Sequence, residues 1–304
     1  MKRRRFLHQV SAAGALITTG SFPFDAAAKP EFRHLTILHT NDVHSRIEPF
    51  PMDGSRWQGM GGAARRAALI NGVRKEKENV LLLDSGDIFQ GTPYFNMFGG
   101  ELEVKLMSEM QYDAATIGNH DFDGGMDGLL KQMPNATFPF VICNYDFSNT
   151  ILNGHTVPYH IIDRGDIKIG ILGVGIELEG LVPASLYGKT RYLDPIASAN
   201  ETATLLRRDE KCDFVICLSH LGYRYQEQKV SDQTLARESS DIDVILGGHT
   251  HTFMDRPDVV QNRAKSPVLI NQVGWAGVRL GRIDMTFEYN HKYKCVSCNN
   301  LWVS

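Results

Sequence analysis

Cysteine is scarce in this chain, with 5 in 304 residues, and tryptophan scarcer still, with 3. So few cysteines exclude a small disulfide scaffold. There is no internal repeat and no low-complexity linker, which removes solenoids, collagen and coiled coils. Neither sign of charge dominates: 32 Lys+Arg stand against 35 Asp+Glu, for a net charge of −3. A protein that grips nucleic-acid polymers needs a basic face, so that class is excluded. The longest apolar stretch, Val10–Phe22, is interrupted by Gly, Ser and Thr. It falls short of the roughly 18 residues that a stable membrane span requires. What is present is ordinary globular material, 42% hydrophobic and 22% charged, long enough to bury a sizeable core.

The first 28 residues stand apart. Lys2–Arg5 is basic, the stretch to Phe22 is apolar, and Ala26-Ala27-Ala28 supplies an A-x-A site. That order describes a secretory signal peptide. Arg3-Arg4 with Phe6-Leu7 resembles the twin-arginine export signal, which carries folded proteins; an ordinary secretory signal is the plainer alternative. No Cys lies near the cut, so no lipid anchor is expected there. The expected partition is a signal segment over 1–28 and one domain over 29–304, exported to the periplasm or beyond. Cleavage after Ala28 removes four cations and Asp25, a net of +3, and moves the formal charge from −3 to −6. An anionic substrate is still compatible with that charge if bound metal ions supply local positive charge.

Beyond His34, short apolar runs alternate with longer helical patterns. Leu35–His39, Val80–Leu83, Phe138–Ile142, Ile167–Val174, Phe214–Leu218 and Val244–Leu246 read as buried strands. Gly61–Glu78, Glu101–Met110, Met126–Met133 and Ile196–Lys211 read as helices, the last announced by Pro195. Alternation of this kind gives an α/β fold. Pro267–Val273 and Val278–Tyr289 look like consecutive strands around Gly274–Gly277, and the tail to Ser304 is read as a short extension.

Five strand exits carry chemistry: Asn41-Asp42-Val43-His44, Asp84-Ser85-Gly86-Asp87, Gly118-Asn119-His120-Asp121, Ser219-His220 and Gly247-Gly248-His249-Thr250-His251. Open α/β sheets place their sites beyond the carboxyl ends of strands, so these exits would gather along one edge. Imidazole and carboxylate together suit zinc, iron, manganese, cobalt or nickel. Asp42-x-His44 and His249-x-His251 have the period-two spacing of extended chain, which would turn both members to one side. Glycines at the exits permit tight turns. A lone His at a strand end is ordinarily structural; five such exits in order are not readily ascribed to chance.

That set, Asp42-x-His44, Gly86-Asp87, Gly118-Asn119-His120-Asp121, His220 and Gly248-His249-x-His251, resembles the signature of the calcineurin-like metallophosphoesterases. Gly61-Gly62-Ala63-Ala64-Arg65, Phe122-Asp123 and Gly277-x-x-Leu280-Gly281-Arg282 narrow the resemblance to the catalytic domain of bacterial 5′-nucleotidases. The resemblance implies a four-layer αββα sandwich of two mixed β-sheets flanked by helices. It implies two divalent metal ions, one on Asp42, His44, Asp87 and His251, the other on Asp87, Asn119, His220 and His249. Such a pair lowers the pKa of a water between the ions for in-line attack on phosphorus. It also implies that His120, steadied by Asp123, contacts the phosphate or the leaving oxygen. The implied substrate is a phosphate monoester, most simply a 5′-nucleotide. The alternatives are a cyclic-nucleotide or nucleotide-sugar phosphodiesterase, or a metal-binding subunit active only with a partner. Family members continue into a domain that binds the nucleoside, whereas this chain ends at Ser304. A separate partner chain carrying that domain is therefore one expectation, and a less selective esterase is the other.

Several residues keep plainer readings. His39 is expected to pack within its strand, and Asp84 and Asp121 to form turns or support the ligands. Asn41 has no assigned role, and Trp57 is either a loop anchor or part of the substrate entrance. His155, His160 and His291 read as surface or strand residues. Cys143, Cys212 and Cys217 read as packing residues, and Cys295-x-x-Cys298 is expected to have no functional role, a disulfide or half a zinc site being the alternatives. Changing Arg3 and Arg4 to Lys is expected to trap the precursor in the cytoplasm, as immunoblots of cell fractions would show. Undisturbed export would point to the ordinary secretory route.

Overall fold

Alternation within single strands decides the architecture. In Phe214–His220, residues Phe214, Ile216 and Leu218 enter one hydrophobic cluster while Val215 and Cys217 enter another. Successive side chains of a strand point to opposite faces, so both faces of this strand are buried. That is why such strands read as unbroken apolar runs.

The computed structural model describes residues 32–288 and 293–304. The expected signal segment with Arg3, Arg4 and Ala28 lies outside the described residues, as do His291 and the side chain of Cys295. In chain order the elements are β1 (Phe32–Thr40), α1 (Ala63–Glu76), β2 (Val80–Asp84), α2 (Pro93–Phe98), α3 (Glu101–Glu109), β3 (Ala114–Ala115), α4 (Gly125–Gln132), β4 (Tyr145–Asp146), β5 (Tyr159–Arg164), β6 (Ile167–Gly175), α5 (Ala184–Tyr187), β7 (Arg191–Tyr192), α6 (Pro195–Arg208), β8 (Phe214–His220), α7 (Asp232–Glu238), β9 (Val244–Gly247), β10 (Asp258–Gln261), β11 (Pro267–Asn271), β12 (Arg279–Glu288), β13 (Tyr293–Cys298) and β14 (Leu301–Trp302).

Two six-stranded sheets result. The first runs β13-β12-β1-β2-β3, with β14 also on β12, and the second runs β10-β11-β9-β8-β6-β5. In the first, β1, β2 and β3 are parallel and β12 is antiparallel to β1. In the second, β6, β8, β9 and β11 are parallel, with β5 and β10 antiparallel at the edges. Both sheets are thus mixed. Leu35, Ile37, Leu81 and Leu83 of the first sheet meet Ile169, Phe214, Ile216 and Val244 of the second in a shared core. On the outer face of the first sheet, Ile70 of α1, Val104 of α3 and Leu129 of α4 cover Leu38 and Leu82. On the outer face of the second, Ala203 and Leu206 of α6 and Leu235 of α7 cover Val215 and Ile245. Helices, sheet, sheet, helices: the layers are those that the resemblance implies. The start of α6 is set locally, because Asp194 accepts from the backbone N–H groups of Ile196 and Ala197, and Pro195 opens the first turn.

Two readings of the sequence are corrected, and one connection is resolved. Phe138–Ile142 is not a regular strand; Phe140 and Val141 make only isolated bridges, to Ala115 and Val157. Pro139 offers no N–H to a ladder. The consecutive strands β11 and β12 do not pair, since one lies in each sheet. Nor does the end of the chain trail away, because β13 and β14 fold back onto β12.

Ile216 is fully buried between the sheets. Ile216→Ala is expected to cost about 2–5 kcal/mol of stability, read as a lower urea midpoint. An unchanged midpoint would contradict the shared core.

Candidate metal centre

Parallel β1, β2 and β3 in one sheet, and β8 and β9 in the other, deliver their carboxyl ends to a common region. Past the strands, Asp42 N–H donates to Gly86 O (2.9 Å), His44 N–H to Asp87 O (3.0 Å) and Ser45 N–H to Ile88 O (2.8 Å). The first two exits are therefore laced together as one unit.

Period-two spacing predicts extended chain at these residues, and the backbone departs from it. Asp42, His44, Asp87, His249 and His251 are not extended; their φ values are 50°, 49°, 56°, 72° and 51°. Left-handed backbone disfavours a side chain by about 1–2 kcal/mol per residue. Such conformations persist only where surrounding bonds over-determine them, as they do at functional sites. Left-handed turns, not strand alternation, aim these groups inward.

Two clusters form. Asp42, His44 and His251 present ligand atoms within 4.8 Å of one another, and so do Asp87, His220 and His249. In the first, His44 Nε2 lies 3.1 Å from His251 Nε2, and Asp42 Oδ1 lies 3.3 Å from His251 Nε2. In the second, His220 Nε2 lies 3.0 Å from Asp87 Oδ2, and Asn119 Oδ1 lies 2.8 Å from His249 Nδ1. Asp87 Oδ2 is also 3.8 Å from His44 Nε2, which places this carboxylate between the clusters. All seven residues carried over as ligands therefore converge.

The donor chemistry fits cations. His44 Nδ1 donates to Phe89 O (3.2 Å) and His220 Nδ1 to Ser85 O (2.6 Å), which turns both Nε2 atoms to the site. His220 Nε2 is buried without a hydrogen-bond partner, while facing the Asp87 carboxylate. That approach requires positive charge upon or between the two groups. Burial opposes charge on His220, yet Asp87 and Asp42 outweigh burial and raise its pKa to about 10. At His249, burial and then the neighbouring His220 lower the pKa to about 4. For Asp87, burial works upward, but His220, His44 and His120 hold the carboxyl well below its usual range. Asp42 and Asp87 find histidine rings as ion-pair partners. A dry, doubly acidic site of this kind invites two divalent ions.

His120 sits at the rim, its ring 5.3 Å from that of His44. His120 Nδ1 donates to Asp123 Oδ2 at 2.9 Å, leaving Nε2 free. Burial works against its charged form, but Asp87 and Asp123 outweigh it, so its pKa is raised.

Residues with plainer readings hold this arrangement together. Asp121 accepts four backbone N–H bonds, from Gly118 (2.8 Å), Asp87 (3.0 Å), Ile88 (2.9 Å) and Phe89 (3.2 Å). It ties the Asp87 loop to the Asn119 loop. Asn41 Nδ2 donates to Asp42 Oδ2 (2.6 Å) and Gly274 O (2.7 Å). Asp84 takes the Thr40 hydroxyl (2.5 Å) and Gly86 N–H (2.9 Å); burial raises its pKa to about 7. His39 Nε2 accepts from Asn271 Nδ2 across the sheets (2.7 Å), and burial, lowering its pKa to about 3, keeps the ring neutral. Gly118 is required for close approach: a Cβ there would stand 2.2 Å from Asp87 Oδ1. Trp57 stacks on Phe253 at 5.0 Å, as a loop anchor does. A cavity of about 680 Å³ runs beside the His44 loop, lined by Arg46, Glu48, Pro49, Pro93, Tyr94 and Phe98 among others.

The sequence reading missed Trp275, which stacks on His251 at 5.8 Å, and Gln272. The available signal was Asn271-Gln272, a buried polar pair closing an apolar run, as at the other exits.

The profile of the family described as calcineurin-like phosphoesterase matches residues 35–253. A snake venom 5′-nucleotidase from Crotalus adamanteus is 35% identical over 84% of this chain and 45% of its own length. Among solved structures, a 5′-nucleotidase precursor from Thermus thermophilus is similar with a TM-score of 0.81 and 32% identity, over 88% of this chain and 54% of that one. Haemophilus influenzae NAD nucleotidase is similar with a TM-score of 0.79 and 28% identity, over 90% of this chain and 50% of that one. The chain thus spans about half the length of these relatives.

Asp121→Asn is expected to lower stability by about 1–3 kcal/mol, the cost of leaving buried donors unpaired, and to weaken divalent-ion binding. Urea denaturation and calorimetry check both; wild-type behaviour in each would contradict the bracing role.

Proposed function

This chain belongs to the calcineurin-like phosphoesterase family, and on that premise we propose that it hydrolyses phosphate monoesters, 5′-nucleotides first among them, with two divalent cations. The observation that carries the reading is the pair of carboxylate–imidazole clusters with Asp87 between them. One ion falls to Asp42, His44, Asp87 and His251, the other to Asp87, Asn119, His220 and His249. When bound, the ions supply Lewis acidity that lowers the pKa of water and offsets phosphoryl charge.

The chain's own groups do the remainder. Asp123 fixes the His120 ring through Nδ1, so that Nε2 can deliver a proton to the departing alcohol oxygen. Asp121 and Asn41 hold the ligand loops in register, so little reorganisation accompanies the reaction. The cavity beside the His44 loop offers an aromatic-walled space to the alcohol portion of the ester. The likeness to proteins described as 5′-nucleotidases supports a nucleotide substrate. The likeness to an NAD nucleotidase favours a second reading, cleavage of a phosphoanhydride or diester within a nucleotide. The relatives are themselves longer chains, which lends no support to a specificity domain on a separate chain. Among the described residues no helix is long and apolar enough to cross a membrane. Export by the twin-arginine route completes the proposal, since a protein that folds around its metals suits a pathway for folded cargo.

A phosphate-release screen over nucleoside monophosphates, cyclic nucleotides and NAD, with Zn, Mn, Fe, Co and Ni, tests substrate and metal together. Release from nucleoside monophosphates, abolished by chelator, is expected. Asp87→Ala and His251→Ala should each abolish it, and full activity in both would remove the case. His120→Ala should lower kcat by about 10²–10⁴ while two metal ions still bind.

A further inference from the structure

Gln272 follows β11 directly and is fully buried, a costly place for an amide unless each of its polar atoms is paired. They are paired, all to one segment. Nε2 donates to Gly248 O at 2.6 Å. Oε1 accepts the Thr252 N–H at 2.7 Å and the Thr250 hydroxyl at 3.2 Å. The amide thus grips residues 248, 250 and 252, and the two residues between them are His249 and His251.

The other side of this amide leads to the second cluster. A Cβ on Gly247 would stand 2.1 Å from Asp232 Oδ2 and 3.0 Å from Gln272 Nε2, so both side chains lie against that glycine. Asp232 Oδ1 in turn accepts from Ser219 Oγ at 2.6 Å, and Ser219 immediately precedes His220. Two buried side chains therefore brace the ligand-bearing segments, Asp232 at the strand end that carries His220 and Gln272 at the loop that carries His249 and His251. That loop begins Gly247-Gly248, the most freely rotating start a chain can have. Its two imidazoles belong to different clusters, so a shift of the loop moves a ligand of each.

We propose that Gln272 is a positioning residue that sets the separation of His249 from His251, and with it the spacing and affinity of the cation pair. The inference rests on the two-cation reading above. His249 has a second anchor, since its N–H donates to both Asp42 oxygens at 3.0 Å. Its distance from His251, however, depends on the three residues that Gln272 grips.

Mn²⁺ is a suitable probe, because two close Mn²⁺ ions give an exchange-coupled electron paramagnetic resonance signal. Gln272→Met keeps the length of the side chain and removes both hydrogen-bonding atoms. In calorimetric titration of the full chain, the weaker of two Mn²⁺ ions is expected to lose about 10–100-fold in affinity, with the coupled signal diminished. Excess Mn²⁺ should restore both that signal and phosphate release, which a general folding defect would not allow. Should this variant not fold, Thr250→Val removes one of the three contacts, and a smaller weakening at the same site is expected. Two Mn²⁺ bound with wild-type affinity and coupling in a folded variant would overturn the role of Gln272. A wild-type chain that binds fewer than two Mn²⁺ would instead overturn the two-cation reading itself.

Discussion

Two carboxylates, Asp42 and Asp87, are buried with histidine rings as their ion-pair partners, and those rings come from both sheets. Negative charge in a dry site is tolerable only if positive charge is held against it. His44 leaves β1 of the first sheet, while His220 and the His249–His251 loop leave β8 and β9 of the second. The site therefore exists only while the two sheets stay packed with their carboxyl ends aligned. The core of Leu35, Ile37, Phe214 and Ile216 does that work, and His39 bonded to Asn271 adds a polar strut between the same sheets.

Holding the ligands costs backbone strain. Five ligand candidates lie in left-handed conformations, which disfavour a side chain by about 1–2 kcal/mol each. The offset is collective. The ladder of β1 and β2 continues past the strand ends through Asp42, His44 and Ser45. Asp121 gathers the N–H groups of both neighbouring loops, and Gln272 grips the last. Each brace is buried and polar, so each is satisfied in one arrangement only. That arrangement is preorganised for charge before any substrate arrives.

The chemistry divides along the same lines. In the proposed reaction the paired clusters and the His120–Asp123 dyad would address a phosphoryl group and its leaving oxygen, whatever alcohol lies beyond. In that proposed reaction the alcohol would meet other surfaces, among them the cavity beside the His44 loop. This separation is consistent with relatives of like fold that are described by different substrates, a 5′-nucleotidase and an NAD nucleotidase. The residues proposed to handle a phosphoryl group all fall within the matched region, and the relatives carry about as much chain again.

Strand and helix positions were legible in the residues because burial on both faces writes itself as short apolar runs, and Asp194-Pro195 marks a helix start by local hydrogen bonding. The ligand set was legible because Asp, Asn and His in sequence after such runs have few other uses. By itself, then, the sequence determined the α/β alternation and the list of groups able to meet a cation, and it was the family resemblance of those groups that implied the layers. Tertiary structure alone decided how they meet. Spacing suggested extended chain at Asp42-x-His44, but long-range bonds impose left-handed turns. Strands β11 and β12 are consecutive in the chain, but the sheets divide them. Asp121, Gln272 and Trp275 act on partners far along the chain, and a contact between distant residues leaves no periodicity to read. The physical reason is that composition and pattern record what each segment must bury, whereas register, strain and convergence are fixed only when the segments pack against one another.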